Sequence, residues 1–210
     1  MTAAVDRPWN INIHYDGLLD SSVPPDARRV LDVGCGDGFL AARLARRIPD
    51  VTALDVDAPV LRRARSRFTD APVRWVHGDV MTAELPHPDF DAVVSNAALH
   101  HVEDTRAALR RLADLVCPGG TLAVVTFVRP SLRNIVWHAT AWLACGVVNR
   151  VKGQWEHTAV IKWPPPDTLS QLRAHICAVL PGARVRRLLY GRVLITWHAR
   201  DVSTPSRLRF

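Results

Sequence analysis

The sequence predicts a doubly wound α/β fold, with a mostly parallel sheet of seven strands, helices on both faces and an antiparallel hairpin at the C-terminal end. Three observations carry this. Apolar runs of strand length alternate with amphipathic stretches of helix length over most of the 210 residues. The runs are apolar throughout, the mark of parallel strands covered on both faces. Near the end, two further strand-like runs are separated only by Gly191-Arg192, a Gly-X pair that signals a hairpin.

Each element follows in order. The stretch WNINIHYDGLL, within an N-terminal segment 1–27, reads as a helix packing Ile11, Ile13 and Leu18. ARRVLDVG then leads into FLAARLARRI, VTALDV into PVLRRARSRF, VRWVHGD into a Pro-rich loop, and FDAVVSNA into TRAALRRLADLV, before TLAVVTFV follows a CPGG turn. The pattern breaks after Pro130. The segment 129–166 holds Trp137, Trp142, Trp155 and Trp163, ends in three prolines and has no strand of its own. Its most apolar part, Ile135 to Val148, is too short to span a bilayer and contains His138 and Thr140, so it reads as a buried or lid helix. In 167–210, Thr168 to Leu180 reads as a helix with Asp167 or Thr168 as N-cap and Leu169, Leu172, Ile176, Val179 and Leu180 on one face. RVRRLLY and VLITWHA close the sheet.

Composition bounds the classes. With 48% hydrophobic residues the chain can bury one good core, which favours a single domain over 1–210. The N-terminus lacks an apolar stretch of the secretory kind, and the expectation is a cytoplasmic protein with no membrane partner. Cys35, Cys117, Cys145 and Cys177 are widely spaced and form no C-x-x-C pair, which argues against a zinc site and a disulfide framework; they read as small buried hydrophobes, and no metal is expected. The net charge of +7 would suit an anionic partner, yet the arginines are dispersed along the solvent faces of the predicted helices, and a nucleic-acid footprint is disfavoured.

The chemistry is concentrated in RVLDVGCGDGFLA, residues 29–41, where a strand runs through closely spaced glycines into a helix. Glycines so placed let the backbone turn tightly and approach a ligand. Two registers compete. Gly36, Gly38 and Ala41 satisfy the dinucleotide pattern G-x-G-x-x-A, but counted from Gly34, where the strand ends, the third position is Phe39 and the match fails. Taken together, Asp32, Gly34, Gly36 and Gly38 form D-x-G-x-G-x-G. A carboxylate among Val30, Leu31 and Val33 costs desolvation energy unless it is satisfied. Asp55 ends the second strand, where two acceptor oxygens match a vicinal diol in either reading, while Asp57 suits the cap of the next helix.

On these residues, and over roughly 28–128, the sequence resembles the class I S-adenosylmethionine-dependent methyltransferases, which are Rossmann-like. The resemblance implies a cofactor-binding core at 28–128 under an N-terminal helical lid, with the cofactor's methionyl part over Gly34, Gly36 and Gly38 and its ammonium placed by Asp32. It further implies Asp55 on the ribose, Val56 on the adenine, Asp79 and the Val80 N–H on the adenine edge, and Asn96 at the methionyl end. Leu99-His100-His101 then borders the methyl-transfer position, with His100 the first candidate base, His101 its neighbour and His14 the second, reaching the acceptor with Tyr15 from the lid. Trp137, Trp142, Trp155 and His157 of the insert are candidates for the acceptor wall, the alternative being a second small core or a dimer contact. The expected function is methyl transfer to oxygen or nitrogen of a small molecule in specialised metabolism. The rivals are an NAD(P)-dependent oxidoreductase and an RNA-binding or RNA-methylating module.

Overall fold

The computed structural model describes residues 9–85, 90–152 and 163–201. Helix α1 (Ile11–Ser22) precedes β1 (Arg29–Val33), α2 (Phe39–Leu44), β2 (Asp50–Asp55), α3 (Ala58–Arg67) and β3 (Val73–His77). Next come β4 (Phe90–Asn96), α4 (Thr105–Asp114), β5 (Val116–Phe127), α5 (Ile135–Lys152), α6 (Leu169–Val179), β6 (Arg184–Arg187) and β7 (Arg192–His198). The sheet order is β3-β2-β1-β4-β5-β7-β6. Strands β1 to β5 pair in parallel, and β7 runs antiparallel between β5 and β6. The predicted architecture is therefore the observed one.

Strand alternation builds two cores from single apolar runs. Leu31, Val93, Val124 and Ile195 face a core completed by Leu109 and Leu112 of α4 and Leu172 and Ile176 of α6. Their neighbours Val30, Val94, Val125 and Leu194 face the other, with Leu19 of α1 and Leu40 and Leu44 of α2. Local chemistry sets the helix starts. Asn10, Asp57 and Asp104 each accept a backbone N–H at the head of α1, α3 and α4. Thr168 and Gln171 form a reciprocal capping box on α6.

Three sequence expectations change. The hairpin is not a two-residue turn: β6 stops at Arg187 and a helical turn over Leu189–Gly191 intervenes, with Tyr190 at φ 57 and Gly191 at φ 69. Tyr190 meets the His14 ring edge-on at 5.4 Å, a tertiary contact across which the strand pattern carries no signal. Ile135 to Val148 is helical, but of α5 only Ala141 is buried, because the helix lies on the outside of the sheet against the Leu189–Gly191 turn. Of the cysteines Cys35 is buried, Cys117 and Cys145 are half-buried and Cys177 is exposed on the outer face of α6.

Thr168→Ala removes the oxygen that caps α6 and is expected to cost about 1 kcal/mol of stability, read as a lower midpoint at unchanged slope in urea unfolding.

Candidate functional site

The carboxyl ends of β1, β2 and β4 lie side by side because the parallel register sets Asp32 beside Ala53 on one flank and Val94 on the other. A ligand crevice is expected at such an edge. It is present as a cavity of about 720 Å³, lined by the loop after β1, the ends of β2, β3 and β4, and α1.

The glycine loop is held from both sides. Gly34 N–H donates to the Leu54 carbonyl at 2.8 Å, and Gly36 N–H donates to Asp55 Oδ2 at 2.7 Å. The other Asp55 oxygen accepts from Asp57 N–H at 2.8 Å, so Asp55 fixes the distance between the loop and the end of β2. Asp57 caps α3, as its position predicts. Gly34 has no substitute: at φ +69 an added Cβ would stand 2.2 Å from that of Ala98. At Gly38 it would meet the Trp75 ring at 2.6 Å.

Asp32 is buried, 1% exposed, and neither carboxyl oxygen has a hydrogen-bond partner of normal geometry. Burial, then the charges of Asp16 and Asp55, push its carboxyl well above the usual range, against a pull from the Ala41 amide. Asp16, on α1, also lines the cavity. Its Oδ1 accepts from Asn96 Nδ2 at 2.9 Å, and the same amide donates to the Asn12 carbonyl at 2.8 Å, leaving Asn96 Oδ1 unpartnered. Burial raises the Asp16 carboxyl to about 7, opposed by the Asn96 hydrogen bond and the charge of Arg43.

At the end of β3, Asp79 Oδ1 accepts from Met81 N–H at 2.9 Å, and Arg111 of α4 donates to the Val80 and Ala83 carbonyls at 2.9 and 2.7 Å. Val56 is 68% exposed on the cavity wall. Asp16, Asp32, Asp55, Asp79 and Glu103 all line the cavity, and among the described residues no Lys or Arg does. In a chain of net charge +7 this is a local inversion, and it fits a cationic ligand rather than a pyrophosphate.

A methyltransferase-domain family model matches residues 31–124. A methyltransferase of Mycobacterium tuberculosis, of uncharacterised activity, is 72% identical over 195 residues, covering 93% of this chain and 99% of its own. The chain belongs to the class I S-adenosylmethionine-dependent methyltransferases. Its cofactor is S-adenosylmethionine, whose sulfonium and ammonium suit the acidic cavity. This methyltransferase also resembles the malonyl-[acyl-carrier protein] O-methyltransferase of Salmonella typhimurium, 31% identical over 92% of this chain and 77% of that one. The S-adenosylmethionine-dependent methyltransferase structure from Mesorhizobium loti shares its fold, with a TM-score of 0.62 at 21% identity over 87% of this chain and 96% of that one. Cavity charge and family both run against the nicotinamide reading.

On the acceptor side the methyltransferase departs from the order read from sequence. His101 lines the cavity, whereas His100, placed first, is buried with its ring 4.6 Å from Phe127 and 4.2 Å from His101. The two rings touch, and His100 is the one that packs on Phe127 while His101 is left at the cavity. His14 and Tyr15 are not among the lining residues: His14 is exposed, edge-on to Tyr15 and Tyr190, and the Tyr15 hydroxyl donates to the Leu189 carbonyl. Trp137 donates its indole N–H to Leu188 at 3.2 Å beneath Arg187, and Trp142 is 75% exposed; neither lines the cavity. Trp155 and His157 lie outside the described residues.

Asp16 in the site and Arg192 behind it were not singled out from the sequence. Asp16 carried a signal, since it shares a helical face with Asn12 yet stands beside buried Tyr15 and Leu19. Arg192 carried none. It is buried, its guanidinium 3.4 Å from the Phe127 ring centre, and it donates at 3.1 Å to the Tyr190 carbonyl and to Asn12 Oδ1. Burial lowers it to about 10.

The raised Asp16 carboxyl makes ligand-free stability fall with pH. Between its ordinary 3.8 and about 7 the folded chain binds the extra proton, so stability declines across that window and levels off above it. Asp16→Asn keeps an oxygen for the Asn96 amide and removes the titration. It is expected to flatten the decline and gain a few kcal/mol, roughly, at neutral pH, measured by urea unfolding at acidic and neutral pH.

Proposed function

We propose that this methyltransferase transfers its methyl group to an oxygen or nitrogen of a small molecule, with His101 as the proton acceptor. The observation that carries the reading is that His101 is the one imidazole among the described residues lining the cavity, on the segment that follows β4. The name of the Salmonella relative, an O-methyltransferase, supports oxygen. A cavity of about 720 Å³ is of the size that encloses small ligands rather than a polymer. Likeness to stand-alone small-molecule enzymes favours a place in specialised metabolism.

Bound S-adenosylmethionine supplies a methyl carbon already activated by positive sulfur. The chain's own work is to bind, align and exclude water. Asp32 and Asp16, with unspent carboxyl capacity beside Asn96, hold the ammonium end. Asp55 keeps lone pairs beyond its two backbone hydrogen bonds for the ribose hydroxyls, and Val56, Asp79 and the Val80 N–H frame the adenine. His101 takes the proton from the acceptor's O–H or N–H as the new bond to carbon forms, and returns it to water. Helix α1 acts as the lid. All of this forms one domain.

Calorimetric titration with S-adenosylhomocysteine, together with turnover against a panel of phenols, carboxylic acids and amines, tests the assignment. Asp55→Asn is expected to weaken binding by about 1–3 kcal/mol. His101→Ala is expected to lower turnover by about 10²–10⁴ while leaving that affinity unchanged. Equal turnover in His101→Ala and the parent would remove His101 from the chemistry.

A further inference from the structure

We propose that α5 docks this methyltransferase onto the surface of an anionic lipid membrane. The helix uses one narrow stripe for the rest of the protein: Trp137, His138, Ala141 and Cys145 turn toward the sheet and the Leu189–Gly191 turn, and only Ala141 is buried. The opposite side is apolar and open. Val136, Leu143, Val147 and Val151, spaced by four or seven residues, are 61–79% exposed, Trp142 stands beside them at 75%, and Leu132 just before the helix is 92% exposed. Ten large hydrophobic side chains are exposed among the described residues, and seven of them lie between Leu132 and Val151. A helix apolar on nearly every side needs a second cover, and a contiguous patch of this kind marks an interaction surface.

Charge selects the cover. From Leu115 to Trp155 the sequence has no Asp or Glu, and its only charged residues are Arg129, Arg133, Arg150 and Lys152. Two copies meeting through α5 would set cations against cations with no carboxylate between them. An anionic bilayer surface supplies what the patch lacks, an apolar layer for Val136, Trp142, Leu143 and Val147 and phosphate oxygens for the cations at the two ends. No helix among the described residues is long and apolar enough to cross a membrane, so α5 lies along the surface. A stretch too short to span a bilayer excludes a transmembrane helix but not one lying along the surface, so the sequence expectation of no membrane partner is revised here. The proposal does not depend on which molecule is methylated.

The test is co-sedimentation of the full chain with vesicles of phosphatidylglycerol and phosphatidylcholine against vesicles of phosphatidylcholine alone. The expected result is that at least about tenfold more protein pellets with the anionic vesicles. The double variant L143E/V147E, at exposed positions away from the cavity, should stay in the supernatant while melting and binding S-adenosylhomocysteine like the parent. Hydrogen exchange of the parent protein, which needs no variant, should slow over 135–152 when anionic vesicles are added. Parent protein left in the supernatant overturns the proposal, as does a folded double variant that still pellets or protection that falls elsewhere. A parent dimer that L143E/V147E splits into monomers would assign the face to a second copy instead.

Discussion

The carboxyl group of Asp32 is the constraint around which the site is organised. It is inside a strand, buried on every side, without a hydrogen-bond partner of normal geometry, and it shares its cavity with Asp16 and Asp55. Burying one carboxyl this way costs stability, and setting others beside it costs more. A cavity so built opposes anions and favours a cation at the carboxyl end of β1. The glycine loop, the Asp55 brace and the cap of α3 then decide how close that cation comes to the sheet.

Charge is segregated over the whole molecule. Many arginines that the sequence places on solvent faces are tied to the protein's own oxygens. Arg43 of α2 and Arg47 in the turn after it both grip Asp20 on α1, at 2.8 and 2.9 Å. Arg67 reaches Asp37 in the glycine loop at 3.2 Å, and Arg111 pins the loop after β3 through two carbonyls. Exposed pairs of this kind contribute little stability each. Their positions matter more, because they fasten the segments that line an acidic cavity while, among the described residues, no Lys or Arg lines the cavity itself.

Helix α1 joins the two halves of the site. On one side Asn96 at the end of β4 binds Asn12 and Asp16, and on the other Arg192 at the start of β7 binds Asn12 again. The Tyr15 hydroxyl adds a contact to Leu189. Helix α1 is thus bonded both to the parallel strand β4, whose end lines the cavity, and to the antiparallel strand β7. Phe127 lies between Arg192 and His100, so the same packing that seats the cation turns one histidine of the pair into the core and leaves the other at the cavity.

By itself the sequence determined the strand and helix order, the glycine loop with Asp32, the acidic ends of the second and third strands, and the cap of α3, and it narrowed that of α6 to Asp167 or Thr168. Each is written within a few neighbouring residues, as an apolar run, a turn requirement or a cap, and survives without knowledge of distant contacts. Only the tertiary structure decided that Asp16 rather than His14 or Tyr15 turns into the cavity, and that His101 rather than His100 borders it. It also decided that Arg192 is buried and that α5 is exposed. Those outcomes depend on which side of a helix or turn meets a partner far away in sequence. A helix apolar on nearly all sides, or two histidines in one turn, offers local chemistry that is the same in either orientation, so long-range packing makes the choice.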